Sequence, residues 1–420
     1  MIVFNPKFLN KLKEINNNFA IAVSGGADSM SLALRMKLYG FFPLCIVVDH
    51  GIRSESATEA VFVKNFLEGQ GFKTIILKSE KFSKCENTSN LQHRARIERY
   101  NIITQYCIEN KIGFVCTAHN KNDMAETVLL RIYRGSGIDG ICGINEEHIW
   151  NGVIILRPLI TIERVEIEDF LIANNWPWIN DPSNKNEVFE RVKFRNLISK
   201  FEDSKTLISR LCLLAKNASR ARHFLEEQTE MYFKKICNIS KYGYIIINKP
   251  TFLILHEELQ LRLLAKVFGI ISSFEYKPRL TNLENILSAI KDCAPFKRTI
   301  AGTICCSDQD EILIIREPNK IEQSITILNH TVCWDKRFEI SFEGDINNLK
   351  ISPLTPEVWG KIKNNHIIDN KEKKEMFRGL AAFSTPVLLY NDEPLYSLLL
   401  PIVTNFTNTK ANTRCIVRYC

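Results

Sequence analysis

Short apolar runs alternate with longer periodic stretches over the first 120 residues. Phe19–Val23 is unbroken and short, as a buried parallel strand would be. Beyond it Met30, Leu32, Ala33, Leu34, Met36 and Leu38 recur as on a largely buried helix, and Gly40 is a stop signal. Leu44–Val48 reads as a second strand ending in Asp49-His50-Gly51, with Ser54 and Ser56 as candidate caps of a helix to about Phe66. A strand at Lys73–Leu77, a helix at Asn90–Ile108, a strand at Phe114–Thr117 leading to His119, and a helix at Asn122–Arg134 follow. The pattern predicts an α/β domain with a parallel sheet covered by helices on both faces. Pro158, Pro177 and Pro182 stand among short apolar pieces between 140 and 185, which reads as a transition out of that domain. Residues 190 to 325 read as mainly helical, with strands at Tyr244–Ile247, Thr299–Cys306 and Glu311–Arg316. The remainder, with alternation such as Arg337–Glu343, reads as a small α+β domain. The expected domains are 1–185, 186–325 and 326–420.

Composition narrows this frame. A chain of 420 residues exceeds one ordinary domain, and 45% hydrophobic residues suffice for real cores. Met1–Phe4 is followed by polar and charged residues through Lys13, and no apolar run approaches a membrane span, so a cytoplasmic protein without a membrane partner is expected. Thirteen cysteines at scattered spacings, with no C-x-x-C, point to reduced thiols rather than disulfides or structural zinc. The net charge of +8 is uneven: Lys185–Arg222 holds ten Lys/Arg against four Asp/Glu. Such a segment suits nucleic acid phosphates, and equally a solvated helical surface.

The chemistry concentrates at the carboxyl ends of the expected strands, where ligands bind in parallel sheets. Ser24-Gly25-Gly26-Ala27-Asp28-Ser29 sits at a strand-to-helix turn. Adjacent glycines permit close ligand approach, and successive N–H groups at a helix start form an anion nest. Ser24 and Ser29 add hydroxyls, whereas Asp28 repels a phosphate unless a metal or donor intervenes. No Gly-Lys-Ser/Thr follows and G-x-G-x-x-G is absent, so neither common nucleotide fingerprint fits. A plain helix cap by Asp or Ser remains the alternative. On the later helix Asp123, Thr127, Arg131 and Arg134 recur at spacings of four, four and three, with Glu126 beside them. That face is either a polar wall toward a ligand or a surface ion-pair ladder. Arg94, Arg96 and Arg99 carry the same ambiguity. His119 is the stronger site candidate of the two strand-end histidines, ahead of His50.

The turn resembles the PP-loop, S-G-G-x-D-S, of ATP pyrophosphatases, which cleave ATP between the α and β phosphates and transfer AMP to a substrate oxygen. Four further stretches specify the resemblance: VVDHGIRSES (47–56), HRARIERY (93–100), TAHNKNDMAETVLLRIYRGSG (117–137), and NDPSN (180–184) with RVKFRN (191–196). Together these are similar to the tRNA(Ile)-lysidine synthetase family, closely over the first 200 residues and more weakly through WDKRF (334–338). The resemblance implies that ATP adenylates the C2 oxygen of the wobble cytidine in the CAU anticodon of tRNA(Ile). An amine of free L-lysine then displaces AMP, so the tRNA reads AUA instead of AUG and is charged with isoleucine instead of methionine.

It also implies roles. Ser24, Gly25, Gly26, Ala27, Asp28 and Ser29 would hold ATP, with Asp28 a candidate Mg²⁺ ligand. Asp28, Asp123, His119 and Arg131 would be catalytic, and Arg94, Glu126, Arg134, Arg191 and Arg195 would meet the substrate or the tRNA. Lys336 and Arg337 would grip the acceptor stem unless their stretch is a strand turn. A homodimer is left open. The lysine must attack as a neutral amine, so a carboxylate or histidine is expected nearby. The chain departs from the family pattern at Asn120 (usually His), Asn122 (usually acidic) and Met124 (often Gln). Those departures leave the site to rely on Asp123 and Glu126. The rivals are a PP-loop tRNA thiolase, a small-molecule ligase of the same fold, and a non-catalytic RNA-binding module.

Overall fold

The computed structural model describes residues 4–15, 18–49, 51, 56–79, 91–180, 190–240, 242–272, 278–292, 294–344, 346–363, 374, 378–391, 393–394, 406–408 and 413–419. His50, Ser54, Asn90 and most of NDPSN lie outside the described residues. The chain divides into two compact units, 1–223 and 224–420.

The first unit is built on a six-stranded sheet. Its strands are β1 (Ala20–Ala22), β2 (Leu44–Asp49), β3 (Thr74–Lys78), β4 (Phe114–Cys116), β5 (Glu147–Trp150) and β6 (Val153–Leu156), in the order β3-β2-β1-β4-β6-β5. All neighbours pair parallel except β5, an antiparallel edge strand on β6. Helices cover both faces. Ile21, Cys45 and Val47 point into one core, while Ala20, Ile46 and Val115 point into the other. Burial on both faces explains why these strands are continuous apolar runs. The helices are α1 (Pro6–Glu14), α2 (Ala27–Leu38), α3 (Ser56–Gly69), α4 (Leu91–Glu109), α5 (Lys121–Tyr133), α6 (Ile138–Ile141), α7 (Arg164–Ala173) and α8 (Glu190–Ser199). Residues 140–185, read above as a transition, instead complete the sheet with β5 and β6 and supply α7, which packs on α2. The run Val153–Leu156 ends at Arg157-Pro158, and that proline disguised it as loop.

Helix α9 (Ser204–Ile236) contains the boundary between the units. The described residues of 190–325 are mainly helical, as expected, and the second unit also carries three antiparallel sheets. Strands β7 (Cys237–Ile239), β8 (Ile245–Asn248), β9 (Phe296–Ile300), β10 (Thr303–Ser307) and β11 (Glu311–Arg316) form an antiparallel sheet of order β7-β8-β11-β10-β9. Helices α10 (Lys249–Leu253), α11 (Glu257–Ser272) and α12 (Leu280–Lys291) complete its core. Thr299–Cys306 is two strands, because Ala301 and Gly302 both adopt left-handed φ (47° and 70°) and turn the chain. Two four-stranded sheets follow. One has the order β12-β15-β16-β17: Ile325–Thr326, Leu349–Pro353, Pro386–Tyr390 and Glu393–Pro394. The other has the order β13-β14-β19-β18: Thr331–Trp334, Phe338–Gly344, Thr413–Tyr419 and Phe406–Asn408. Helix α13 (Pro356–Lys363) lies between β15 and β16 in sequence.

Asp335 and Lys336 are the left-handed turn of the β13–β14 hairpin. Arg337 is buried there and hydrogen-bonds the Asp335 carboxylate at 2.8 Å, so its guanidinium is not a surface group for RNA. The same carboxylate takes Arg316 at 3.0 and 3.1 Å. Arg316 in turn caps the carbonyls of Ser272, Gly302 and Lys320, and Arg337 those of Gly243 and Ser384. Among the described residues, no helix is long and apolar enough to cross a membrane.

Candidate active site

Strand β1 lies between β2 and β4, so the chain leaves adjacent strands β1 and β4 on either side of a switch in strand order. Such a point opens a crevice at the carboxyl ends of the strands. The turn Ser24–Ser29 follows β1, and Thr117–Asp123 follows β4.

Gly26 is the N-cap of α2, and no side chain caps it. The first N–H groups of α2 therefore remain available to an anion. Gly25 adopts φ +83°; a Cβ there would stand 2.8 Å from Val63 Cγ2 and 3.0 Å from Ile179 Cδ1. Its carbonyl accepts from the Ile179 N–H at 2.9 Å, which holds the loop from the far end of the first unit. Ser29 is buried and turned inward. Its Oγ donates to Gly26 O at 3.0 Å and accepts from Ser24 N at 3.1 Å. Ser29 shapes the loop, while the exposed Ser24 keeps its hydroxyl 3.3 Å from Ser29 Oγ.

Helix α5 begins with a capping box. Asn120 Oδ1 accepts from Asp123 N at 2.9 Å, and Asp123 Oδ2 accepts from Asn120 N at 3.0 Å. The remaining end of the Asn120 amide, Nδ2, donates to Asp28 Oδ1 at 2.8 Å. Burial and the charge of Asp123 push the Asp28 carboxyl up to about 6; the Asn120 hydrogen bond and the charges of Arg164 and Arg195 oppose this.

His119 is held at both ring nitrogens, by Arg96 Nη2 at Nε2 (2.9 Å) and by Thr117 Oγ1 at Nδ1 (3.0 Å). A guanidinium only donates, so Nε2 accepts and Nδ1 carries the hydrogen. Burial lowers this imidazole to about 3, although the Asp123 charge opposes it. It is a neutral ring that supports Arg96.

Helix α8 packs antiparallel along α5. Arg195 grips the buried Glu126 through two hydrogen bonds, Nε to Oε1 at 2.6 Å and Nη2 to Oε2 at 3.2 Å. Burial raises the Glu126 carboxyl and the Asp123 charge adds to it, against the Arg195 hydrogen bond. On Arg195 that bond and the carboxylate charges outweigh burial and raise the guanidinium. Arg191 Nη2 donates to Thr127 Oγ1 at 2.9 Å. Behind this pair lies a cavity of about 110 Å³, lined by Asn122, Glu126, Arg195, Ile198, Ser204 and Ile208 among others.

The structure thus gathers Asp28, Asp123, Glu126, Arg191, Arg195 and His119 around the two strand ends. Arg131 is exposed two turns beyond Asp123 on α5, about 12 Å along the axis. Arg134 is exposed and pairs with Glu190, and Arg94 is exposed on α4. The Asp123-to-Arg134 face is therefore not one wall.

A family model described as a PP-loop domain matches residues 4–201. A tRNA(Ile)-lysidine synthase from Wolbachia pipientis wMel is 37% identical over 81% of this chain and 80% of its own length. Those from the Wolbachia of Brugia malayi and from Anaplasma marginale are 34% and 32% identical over 81% and 80% of this chain. The chain belongs to the tRNA(Ile)-lysidine synthase family. It is an ATP-using enzyme.

Four residues of this enzyme have roles that the sequence pattern does not mark. Asn120 was noted only as a departure, although Asn followed three residues later by Asp is a capping-box spacing. Arg157, buried after β6, lowers His119 by its charge, and no local motif marks it. Met124 is turned away from the crevice, with Sδ accepting from Ile144 N at 3.2 Å. Asn122 serves α7 instead, accepting from Arg164 N at 3.0 Å.

Proposed function

We propose that this enzyme ligates free L-lysine to C2 of the wobble cytidine of tRNA(Ile) bearing a CAU anticodon, through an adenylated cytidine. The observation that carries the reading is the uncapped start of α2, which bears Asp28, beside the start of α5, which bears Asp123. The phosphates of ATP lie on the N–H groups of Gly26 to Ser29, with the Ser24 hydroxyl beside them. The cytidine O2 attacks the α-phosphorus, the O–P bond to the β-phosphate breaks, and diphosphate leaves. The lysine amine then attacks C2, the C2–O bond breaks, and AMP leaves. Adenylation turns a poor leaving oxygen into a good one, so the protein's task is mostly positioning and charge control.

The donor set suits Mg²⁺. Among the described residues, no three His, Cys, Asp or Glu side chains form a metal group by themselves. Mg²⁺ ordinarily takes one or two carboxylates and completes its shell with phosphate and water. Asp28 and Asp123 supply two, and the cation would supply countercharge for the phosphates. Glu126 and Asp123 are the carboxylates at hand for the amine proton. His119 acts by holding Arg96, and Arg191 and Arg195 reach toward the substrate from α8. Arg94, Arg131 and Arg134 are left for the tRNA backbone. We assign ATP chemistry to residues 1–185, and tRNA binding to 186–325 and 326–420, in a cytoplasmic enzyme that can dimerise.

A thiolase reading has less support. Cys116, at the end of β4, is fully buried and its thiol is pushed up by burial, the opposite of a reactive thiolate. Single-turnover reaction of the CAU tRNA with lysine and Mg-ATP, followed by nucleoside mass analysis, tests the proposal. A lysine-sized mass gain on cytidine that Asp28→Ala abolishes is the expected result. AMP release without that product would overturn the assignment of lysine as nucleophile.

A further inference from the structure

Asn120 is almost completely buried, and it gives one hydrogen bond to each of two carboxylates. Its Nδ2 donates to Asp28 Oδ1 at 2.8 Å, and its backbone N–H donates to Asp123 Oδ2 at 3.0 Å. Its Oδ1 is fixed by the Asp123 N–H at 2.9 Å, which sets the plane of the amide and so the direction of Nδ2. The two carboxylates come from elements nearly a hundred residues apart, the first turn of α2 and the first turn of α5. Asn120 thus bonds both carboxylates, Asp28 through its side chain and Asp123 through its backbone N–H.

We propose that Asn120 is a positioning residue for the adenylation step: it holds Asp28 in register with Asp123 across the crevice. This rests on the PP-loop of this chain using ATP, and it deepens the function proposed above.

The physical basis is the cost of misplacement. The charge of Asp123 works against an ionised Asp28, second to burial, so directed hydrogen bonds to each carboxylate help set where the two stand. The Asn120 side-chain amide, donating to Asp28, and its backbone N–H, donating to Asp123, supply one directed hydrogen bond to each carboxylate. Reacting groups displaced by about 1 Å lose on the order of a hundredfold in rate. Binding of the triphosphate, by contrast, rests mostly on backbone N–H groups of α2 that Asn120 does not touch.

The alternative is that Asn120 merely caps α5. Two substitutions separate the roles. Asn120→Asp keeps an acceptor for the Asp123 N–H and has no donor for Asp28 when ionised. Asn120→Ser is also a good N-cap, carries no charge, and has a shorter side chain than the amide that spans to Asp28. The assay is tRNA-dependent release of diphosphate from Mg-ATP, which reads adenylation whatever nucleophile follows. Unfolding midpoints and the affinity for a non-hydrolysable ATP analogue are measured on the same samples. If the wild type releases diphosphate but makes no lysidine, the proposed function fails and this inference is still tested.

The expected result is a fall in kcat of roughly 10- to 100-fold in both variants. The KM for ATP and the analogue affinity should stay within about threefold, and the unfolding midpoint should hold. Unchanged kcat in both variants would overturn the inference. So would a loss of activity that only tracks a lowered midpoint, because Asn120 would then be a cap and nothing more.

Discussion

At the scale of single residues, the site is governed by buried charge. The Asp28 carboxyl stands at about 6 in the folded chain against 3.8 ordinarily. A group raised by folding stabilises fully below its unfolded value and loses that contribution as pH rises through the folded one. Asp28 ionised above pH 6 therefore works against the fold. Asp28→Asn should stabilise the fold at pH 8, by on the order of 1–3 kcal/mol. The gain should vanish near pH 4, and melting curves at the two pH values read the difference. His119 behaves otherwise, since its ring is neutral throughout the working range. Glutamine there, which can still accept from Arg96, should lower kcat without moving the pH at which activity falls. Gly25 is fixed by its backbone: φ +83° and the wall of Val63 exclude a side chain. Gly25→Ala should destabilise by about 1–2 kcal/mol and raise the KM for ATP. The loop was legible in the sequence because adjacent glycines between a strand and a helix, flanked by hydroxyls, are what an anion nest needs. The Asn120 link was not, because a hydrogen bond to a residue 92 positions away leaves no local pattern.

Among elements, the pairing of α5 with α8 decides how the site is closed on one side. Arg195 is the counter-ion of a buried Glu126. Breaking such a pair from one side leaves an uncompensated charge and costs several kcal/mol, about 3–5 when fully buried. Arg195 is itself one-third exposed, so the lower end applies. Arg195→Ala should weaken the fold more at pH 8 than at pH 5, because Glu126 escapes the penalty by taking a proton. Denaturant midpoints at both pH values would show it. Strand-by-strand, the first four β units could be read from apolar runs, since a strand buried on both faces cannot alternate. The fifth parallel strand, β6, could not, for it runs straight into Arg157-Pro158 in a proline-marked stretch. In the second unit the Ala301-Gly302 turn was hidden, because alanine seldom adopts φ 47°. The basic segment 185–222 proved to be partly interior, with Arg191 and Arg195 directed at α5.

For the whole molecule, long-range ties matter more than the extent of any one sheet. In the second unit one carboxylate, Asp335, neutralises two buried guanidinium groups that between them cap five backbone carbonyls. Asp335→Ala would leave both cations without it and should cost about 3–5 kcal/mol, read as loss of the folded signal of residues 224–420 in a urea titration of the full chain. The stretch WDKRF is the strand turn that stood as the alternative to an acceptor-stem grip, and its arginine stabilises the interior. In the first unit, the central strand β1 takes β2 on one side and β4 on the other, so the loop after β1 faces partners that come much later in the chain. During synthesis, the ATP loop emerges from the ribosome some ninety residues before Asn120 and about 170 before Arg195. A nascent chain therefore cannot complete a crevice competent to cleave ATP until most of the first unit has been translated.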